Sequence, residues 1–299
     1  MLNVFPDYYK SFKCISSACR HSCCVGWEID IDEKSLHKYK QLGGDIGAKL
    51  EKNISLEDTP HFILGKGERC PFLNGENLCE LILACGEDVL CDICRDHPRF
   101  RTFLPGRTET GLGLCCEEAA RIIIDAEAPM TLIYEGKQVE SDDYAEAVIA
   151  LRDELLETAN DVSRPYSERV NSILSRCHLR FPEKTPSQWA ELFLSLERMD
   201  DEWTALLEKL READTAKPEP DSRIGNLLSY FIYRHVAGAA DDGNIQGRVL
   251  FAVLSTYMIN LLCAVHGSDK IYDIARLYSA EVEYSEENTD KLMNLQKLL

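Results

Sequence analysis

Positive charge is scarce in this chain: 33 Lys and Arg stand against 51 Asp and Glu in 299 residues, a formal net charge of −18. A surface that grips nucleic acid needs a net basic patch to displace counterions, so no nucleic-acid partner is expected, and an anionic membrane is disfavoured on the same ground. An acidic field would help attract a basic, lysine-bearing protein, although solubility alone accounts for it. Long apolar runs are also lacking. The longest, Val249 to Val265, is interrupted by Ser255, Thr256 and Asn260 and falls short of the roughly 20 residues of a bilayer span, so it reads as a buried core helix. Gly267 supplies its stop. The opening segment, MLNVFPDYYK, has no basic n-region, apolar h-region or small-residue cleavage site; no secretory signal is read, and a cytoplasmic protein is expected. Internal repeats, low-complexity tracts and a long polar tail are absent, leaving a globular chain of one or two domains.

What the chain has in plenty is cysteine, and most of it in one place. Eleven of thirteen cysteines lie between Cys14 and Cys116, opening with Cys14-x4-Cys19-x3-Cys23-Cys24 and recurring at Cys70, Cys79, Cys85, Cys91, Cys94, Cys115 and Cys116. A reducing compartment disfavours a disulfide framework, and a chain of this length buries a core without covalent staples. Ordinary buried thiols scatter instead of clustering, which is the reading for the isolated Cys177 and Cys263. Crowded thiols therefore point to metal. A [4Fe–4S] cluster or a structural zinc needs four mainly thiolate ligands brought together from loops. Cys14 to Cys24 supplies four thiols, with distant partners at Cys70, Cys79 and the pair Cys91-x2-Cys94. Iron–sulfur is favoured over zinc because there is only one Cys-x2-Cys pair. Which four thiols share a site, and whether there is one centre or two, stays open. His21 and His97 sit beside these thiols and read as non-ligands. Arg95, Arg99, Arg101 and Arg107 follow Cys94 closely and offer donors for a carboxylate or for the charge of an anionic cluster; Arg95 and Arg99 are the cofactor-binding candidates.

The expected fold is mainly α: a cysteine-rich metal-binding domain of loops and short helices over 1–125, then an all-helical domain over 126–299. A small β-hairpin, Met130 to Val139 around Glu135-Gly136, is expected at the junction. Helical spacing begins near 142 with Tyr144, Val148, Leu151 and Leu155. Thr185, Pro186 and Gln188 form a capping-box start. Beyond it, Trp189, Leu192, Phe193, Leu196, Met199, Trp203, Leu206 and Leu210 continue a single helical stripe that reads as core. Further helices are expected at 222–238, 245–266, 269–281 and 286–298.

Ordered motifs along nearly the whole chain carry a resemblance. They are Pro6-Asp-Tyr-Tyr-Lys-Ser-Phe-Lys-Cys14, Cys19-x3-Cys23-Cys24-Val-Gly-Trp27-Glu-Ile-Asp30-Ile-Asp32, Cys70-Pro-Phe-Leu73, Leu78-Cys79, Cys94-Arg-Asp-His-Pro-Arg99, Cys116-Glu-Glu-Ala-Ala-Arg121 and Tyr278-Ser-Ala-Glu-Val-Glu-Tyr-Ser-Glu-Glu-Asn288. In these the chain resembles the bacterial flagellin lysine-N-methylase family, itself related to cysteine-cluster proteins described as zinc- or iron-chelating. The resemblance implies methyl transfer from S-adenosylmethionine to lysine side chains of flagellin by a protein carrying an iron–sulfur cluster. It makes Cys14, Cys19, Cys23, Cys24, Cys70, Cys79, Cys94 and Cys116 the ligand candidates and sets Cys85, Cys91 and Cys115 apart as extras of this chain. It makes Glu283, Tyr284 and Glu286 candidates for handling the lysine proton. The chain departs from the family in having Glu117 where proline is usual and Tyr284 where histidine is usual. No G-x-G-x-x-G loop follows a strand, so the common glycine-loop signature of methyltransferases is missing. The three-cysteine spacing of radical enzymes is missing too, since Cys23 is followed at once by Cys24. The competing class is a non-enzymatic metal-binding or redox-sensing protein that binds a partner through its helical half.

Overall fold

A computed structural model describes residues 1–218 and 221–298. The chain is mainly helical with a small sheet, and it divides into two compact units, Lys13–Phe100 and a larger unit formed by Met1–Phe12 with Arg101–Leu299. Both divisions fall inside the 1–125 segment of the sequence reading. The opening strand β1 (Leu2–Pro6) belongs to the larger unit because its pairing partners lie beyond residue 100.

The cysteine unit, 13–100, consists of short elements: α1 (Glu33–Tyr39), α2 (Gly44–Asn53), the two-residue strands β2 (Ile54–Ser55) and β3 (His61–Phe62), α3 (Glu80–Cys85) and α4 (Asp92–Asp96). Its core is Ile29, Ile31, Tyr39, Leu50, Phe62 and Phe72, with the Cys70 and Cys91 side chains buried among them. One carboxylate ties two elements together. Asp32 caps α1 by accepting from the Ser35 amide at 2.9 Å, and its other oxygen accepts from the Asp92 amide at 2.8 Å, the first residue of α4.

Next come β4 (Arg99–Leu104), whose residues from Arg101 on belong to the larger unit, β5 (Arg107–Leu112), α5 (Glu117–Ile124) and β6 (Leu132–Glu135), and the sheet order is β4-β5-β1-β6. Strand β1 runs parallel to β5, Leu2 opposite Arg107, and antiparallel to β6, Phe5 opposite Ile133. Parallel neighbours need a long crossover, and here the whole cysteine unit lies in that connection. The hairpin expected over 130–139 does not form as such. Only Leu132–Glu135 is strand, and it pairs with β1. Gly136, at φ +96°, turns the chain so close to Met1 that a Cβ would sit 2.6 Å from its carbonyl oxygen, so the second arm leaves the sheet and Val139 is exposed. The neighbouring strands β4 and β5 turn instead around Pro105 and Gly106.

The helices are α6 (Asp143–Asn160), α7 (Tyr166–Arg176), α8 (Pro186–Leu194), α9 (Asp201–Glu212), α10 (Ser222–Val236), α11 (Ala239–Asp242), α12 (Ile245–His266), α13 (Ile271–Tyr278) and α14 (Glu286–Met293). By length and composition α12 would also pass as a bilayer span, yet 78% of its most apolar window is buried; it packs on α10 as a core helix and ends at Gly267, as expected. Tyr233 of α10 has its hydroxyl 3.0 Å from the Val4 and Thr110 carbonyl oxygens, joining helix to sheet. Arg152 of α6, fully buried, makes a two-pronged pair with Glu109 of β5 at 2.5 and 2.8 Å.

The capping box at Thr185 and Gln188 forms as read. The stripe beyond it does not run as one helix. It breaks over 195–200 because the buried Glu281 carboxylate accepts from the Met199 amide (2.8 Å) and the Asp200 amide (3.0 Å), while Asn288 donates to the Glu197 carbonyl at 2.9 Å. Met199 is consequently exposed. The helix expected at 269–281 stops at Tyr278 and widens into a π turn, Ser279–Glu283, a form that concentrates at functional sites. The helix expected to run to 298 ends at Met293.

Candidate functional site

Two clusters of chemistry-bearing side chains stand out, one in each unit. In the cysteine unit, short backbone links bring distant loops side by side. The Cys70 amide donates to the Cys24 carbonyl at 2.8 Å, Val25 bridges Arg69, and Leu73 bridges Cys79. Cys24, Cys70, Cys79, Cys91 and Cys94 pack into or against the same apolar core, and no disulfide joins them. Their sulfurs sense one another. A hydrogen bond from Cys94, outweighing burial, holds the Cys91 thiol below its ordinary range, and Cys94 is pushed up in return. Cys23 does the same for Cys24, lowering it to about 7, while burial pushes Cys70 up to about 11 and raises Cys79.

Among the described residues, no three His, Cys, Asp or Glu side chains converge closely enough to hold a metal ion. The donor set itself, soft thiols packed in or against one apolar core, is the kind that takes zinc or an iron–sulfur cluster. Of the eight ligand candidates, Cys24, Cys70, Cys79 and Cys94 are brought into this neighbourhood. Cys23 is exposed but bonds the Cys24 sulfur at the edge of this neighbourhood, Cys14 is exposed, Cys19 donates to the His21 carbonyl at 3.2 Å, and Cys116 lies in the other unit at the start of α5. Cys91, set aside by the resemblance, is completely buried at the centre; its signal was the Cys91-x2-Cys94 spacing. Arg95 pairs with Asp92 one turn back, and Arg99 donates to the Arg95 carbonyl at 3.4 Å, so both are engaged within their own segment.

The second cluster lies in the larger unit. Glu283, the last residue of the π turn, has a side chain with no exposure. It accepts from His235 Nε2 at 2.6 Å and from the Tyr230 hydroxyl at 3.1 Å, and pairs with Arg234 Nε at 3.2 Å. All three partners come from α10, where Tyr230 and Arg234 are one turn apart and Arg234 also donates to the Tyr230 hydroxyl at 2.6 Å. Burial alone would raise the Glu283 carboxyl, but Arg234 and His235 outweigh it and the net direction is down. Burial keeps His235 below its ordinary value despite Glu283, so the pair is carboxylate and neutral imidazole. Tyr284 caps this network. It is 49% exposed, its ring lies 4.9 Å from the Arg234 guanidinium, and the Cys115 thiol is beside its hydroxyl. Burial of that hydroxyl raises its pKa above the phenol range, so Tyr284 is a neutral hydrogen-bonding group. Glu286 is exposed in the first turn of α14, outside the network. Tyr230, Arg234 and His235 were not found from sequence, because helical periodicity does not say that this stretch of α10 meets the π turn, and Cys115 was read there only as one of the clustered cysteines.

An open cleft of about 600 Å³ along the end of α7 and the segment after it is lined by Leu174, His178, Arg180, Phe181 and Glu183 among others; neither Glu283, Tyr284 nor Glu286 lines it.

Comparison with known proteins bears on the larger unit. A family model described as the FliB lysine N-methylase C-terminal domain matches residues 111–298, which contain the whole Glu283 network. A lysine-N-methylase of Salmonella typhimurium is 30% identical over 132 residues, 41% of this chain and 33% of that protein. The flagellar biosynthetic protein FliU of Salmonella muenchen is 29% identical over 132 residues, 41% of this chain and 78% of that protein. The match thus spans about a third of the length of the lysine-N-methylase. No solved structure matches the chain. With the family model covering more than half of its length, the chain belongs to the FliB lysine N-methylase C-terminal domain family.

Proposed function

We propose that this protein is a lysine N-methyltransferase that uses S-adenosylmethionine to methylate lysine side chains of flagellin, with a metal centre, iron–sulfur in preference to zinc, in the cysteine unit. The observation that carries the reading is the family match over 111–298; the names of the relatives, a lysine-N-methylase and a flagellar biosynthetic protein, favour the same substrate. Transfer to an amine requires loss of a proton from a lysine whose reference pKa is about 10.4, alignment, and exclusion of water. S-adenosylmethionine, when bound, supplies the methyl group on an electrophilic sulfonium. The thiols of Cys24, Cys70, Cys79, Cys91 and Cys94 would hold the metal, whose part is to fix their loops.

Within the larger unit, Tyr284 is the member of the network that reaches solvent, so an incoming lysine meets this residue first, while its buried hydroxyl, beside the Cys115 thiol, holds the ring in place. Glu283 is too deeply buried to take the lysine proton itself. Its work is to hold Arg234 and His235, and through Arg234 the Tyr284 ring. The net charge of −18 favours approach of a cationic lysine-bearing surface.

The test is anaerobic purification with iron, sulfide and zinc analysis, then transfer of labelled methyl to flagellin by wild type and Tyr284→Phe. Label on lysine, reduced at least tenfold in Tyr284→Phe, supports the reading. No label from protein with its full metal content overturns it in favour of a metal-binding protein without this activity.

A further inference from the structure

We propose that Glu281 and Asn288 are positioning residues for Tyr284: with Ser285 they clasp the chain on both sides of it to the 197–200 segment and so fix where its exposed ring stands. This rests on the reading of Tyr284 as the residue that an incoming lysine meets first.

Glu281 is a buried charge without a counter-charge. It is 3% exposed, and among the described residues no Lys, Arg or His pairs with it. Its carboxylate is held by two backbone amides, Met199 at 2.8 Å and Asp200 at 3.0 Å. Burial, with Asp200 and Glu197 adding to it, raises the carboxyl above its ordinary range despite those amides. Burying a carboxylate is costly, and ending a helix does not require it, since glycine or proline suffices. What the charge supplies is two acceptors on one rigid tip. A carboxylate takes both amides at once, whereas an amide side chain would set an N–H against one of them.

Asn288, 1% exposed, closes the same knot from the other end. Its Oδ1 accepts from the Glu197 amide at 3.0 Å, and its Nδ2 donates to the Glu197 carbonyl at 2.9 Å and to the Glu281 carbonyl at 2.8 Å. One side chain thus ties the linker between α8 and α9 to the π turn. Between Glu281 and Asn288, Ser285 donates its hydroxyl to the Glu197 carboxylate at 2.9 Å. Tyr284 is therefore bracketed. Its amide donates to the Ser279 carbonyl at 3.2 Å; Glu283 before it is fixed to α10, and Ser285 after it is fixed to the linker. A half-exposed ring on a chain loosened at either flank would swing, and a misplacement of about 1 Å at a reacting group can cost about a hundredfold in rate.

The experiment uses the full chain with fluorotyrosine placed at position 284 alone, so that fluorine NMR reports the ring, and transfer of labelled methyl to flagellin reports the reaction. Each variant is measured at a temperature where circular dichroism shows it folded. Glu281→Gln keeps the shape but releases one amide; Ser285→Ala, the gentler change, removes only a hydroxyl. Both are expected to shift or broaden the resonance of residue 284. Glu281→Gln should lower kcat at least about tenfold while KM for flagellin changes less than about threefold, and in a Tyr284→Ala background it should lower kcat no further. A resonance unmoved in both variants, or an equal loss of kcat in the Tyr284→Ala background, would overturn the proposal; where Glu281→Gln does not fold, the resonance in Ser285→Ala decides alone. Wild type that transfers no methyl would overturn the reading of the reaction, and the role of the clasp in it, whereas the resonance tests the placement of the ring independently.

Discussion

Replacing Glu283 by glutamine should be among the most damaging single-atom changes in the larger unit. The substitution preserves shape but leaves the Arg234 guanidinium, 9% exposed, without its counter-charge. At the observed separation of 3.2 Å and an effective dielectric constant of about 20, the Coulomb energy is about 5 kcal/mol, and breaking buried pairs from one side typically costs about 3–5 kcal/mol. Glutamine can still accept from Tyr230 or His235, so a loss of about 4 kcal/mol is expected. Trp189 and Trp203 are both buried in this unit, so tryptophan fluorescence during urea unfolding follows it in a Trp27→Phe background, which silences the tryptophan of the cysteine unit. Removing both charges, as in Glu283→Gln with Arg234→Met, should recover about half of the loss, since replacing a buried pair outright is often near neutral. A single-variant cost under about 1 kcal/mol, or a double variant as unstable as the sum of the singles, would refute the claim that this pair is isolated from solvent and mutually dependent.

Other outcomes follow from the same reasoning. Glu109→Gln should cost about 3 kcal/mol by removing the carboxylate that the buried Arg152 and Arg107 share, Arg152 keeping its second pair with Asp153, read by the same unfolding assay. Thr185→Ala should cost about 1 kcal/mol by removing one half of the capping box. The metal-free cysteine unit should lose stability as pH falls from about 6.5 to about 4, because burial, with Arg99 adding to it, lowers His97 to about 4. Protons then bind the unfolded chain first, and His97→Gln should flatten the slope of thermal midpoint against pH over that range.

Much of the helical frame was legible because its signals are local. The Thr185 capping box, the Gly267 stop and the apolar run of α12 each act through neighbours a few residues away. What escaped was set by distant partners. Glu281, eighty residues on, draws the Met199 and Asp200 amides out of a stripe that periodicity alone would continue. Strand β6 looked like one arm of a hairpin, but its real partner is the chain's opening strand. The thiol neighbourhood shows the same division. Clustering in the sequence announced it, yet spacing could not tell that Cys91 would lie at its centre and Cys14 and Cys23 at the surface. In the second cluster, Glu283 and Tyr284 entered through a resemblance, whereas Tyr230, Arg234 and His235 became visible only once α10 was seen to meet the π turn.

The most direct test of the central claim is mass spectrometry of flagellin peptides after incubation with the anaerobically purified protein and S-adenosylmethionine carrying a deuterated methyl group. Deuterated methyl on lysine side chains, absent when either component is omitted, is the predicted result. Unmodified lysines alongside a folded, metal-replete protein would contradict it.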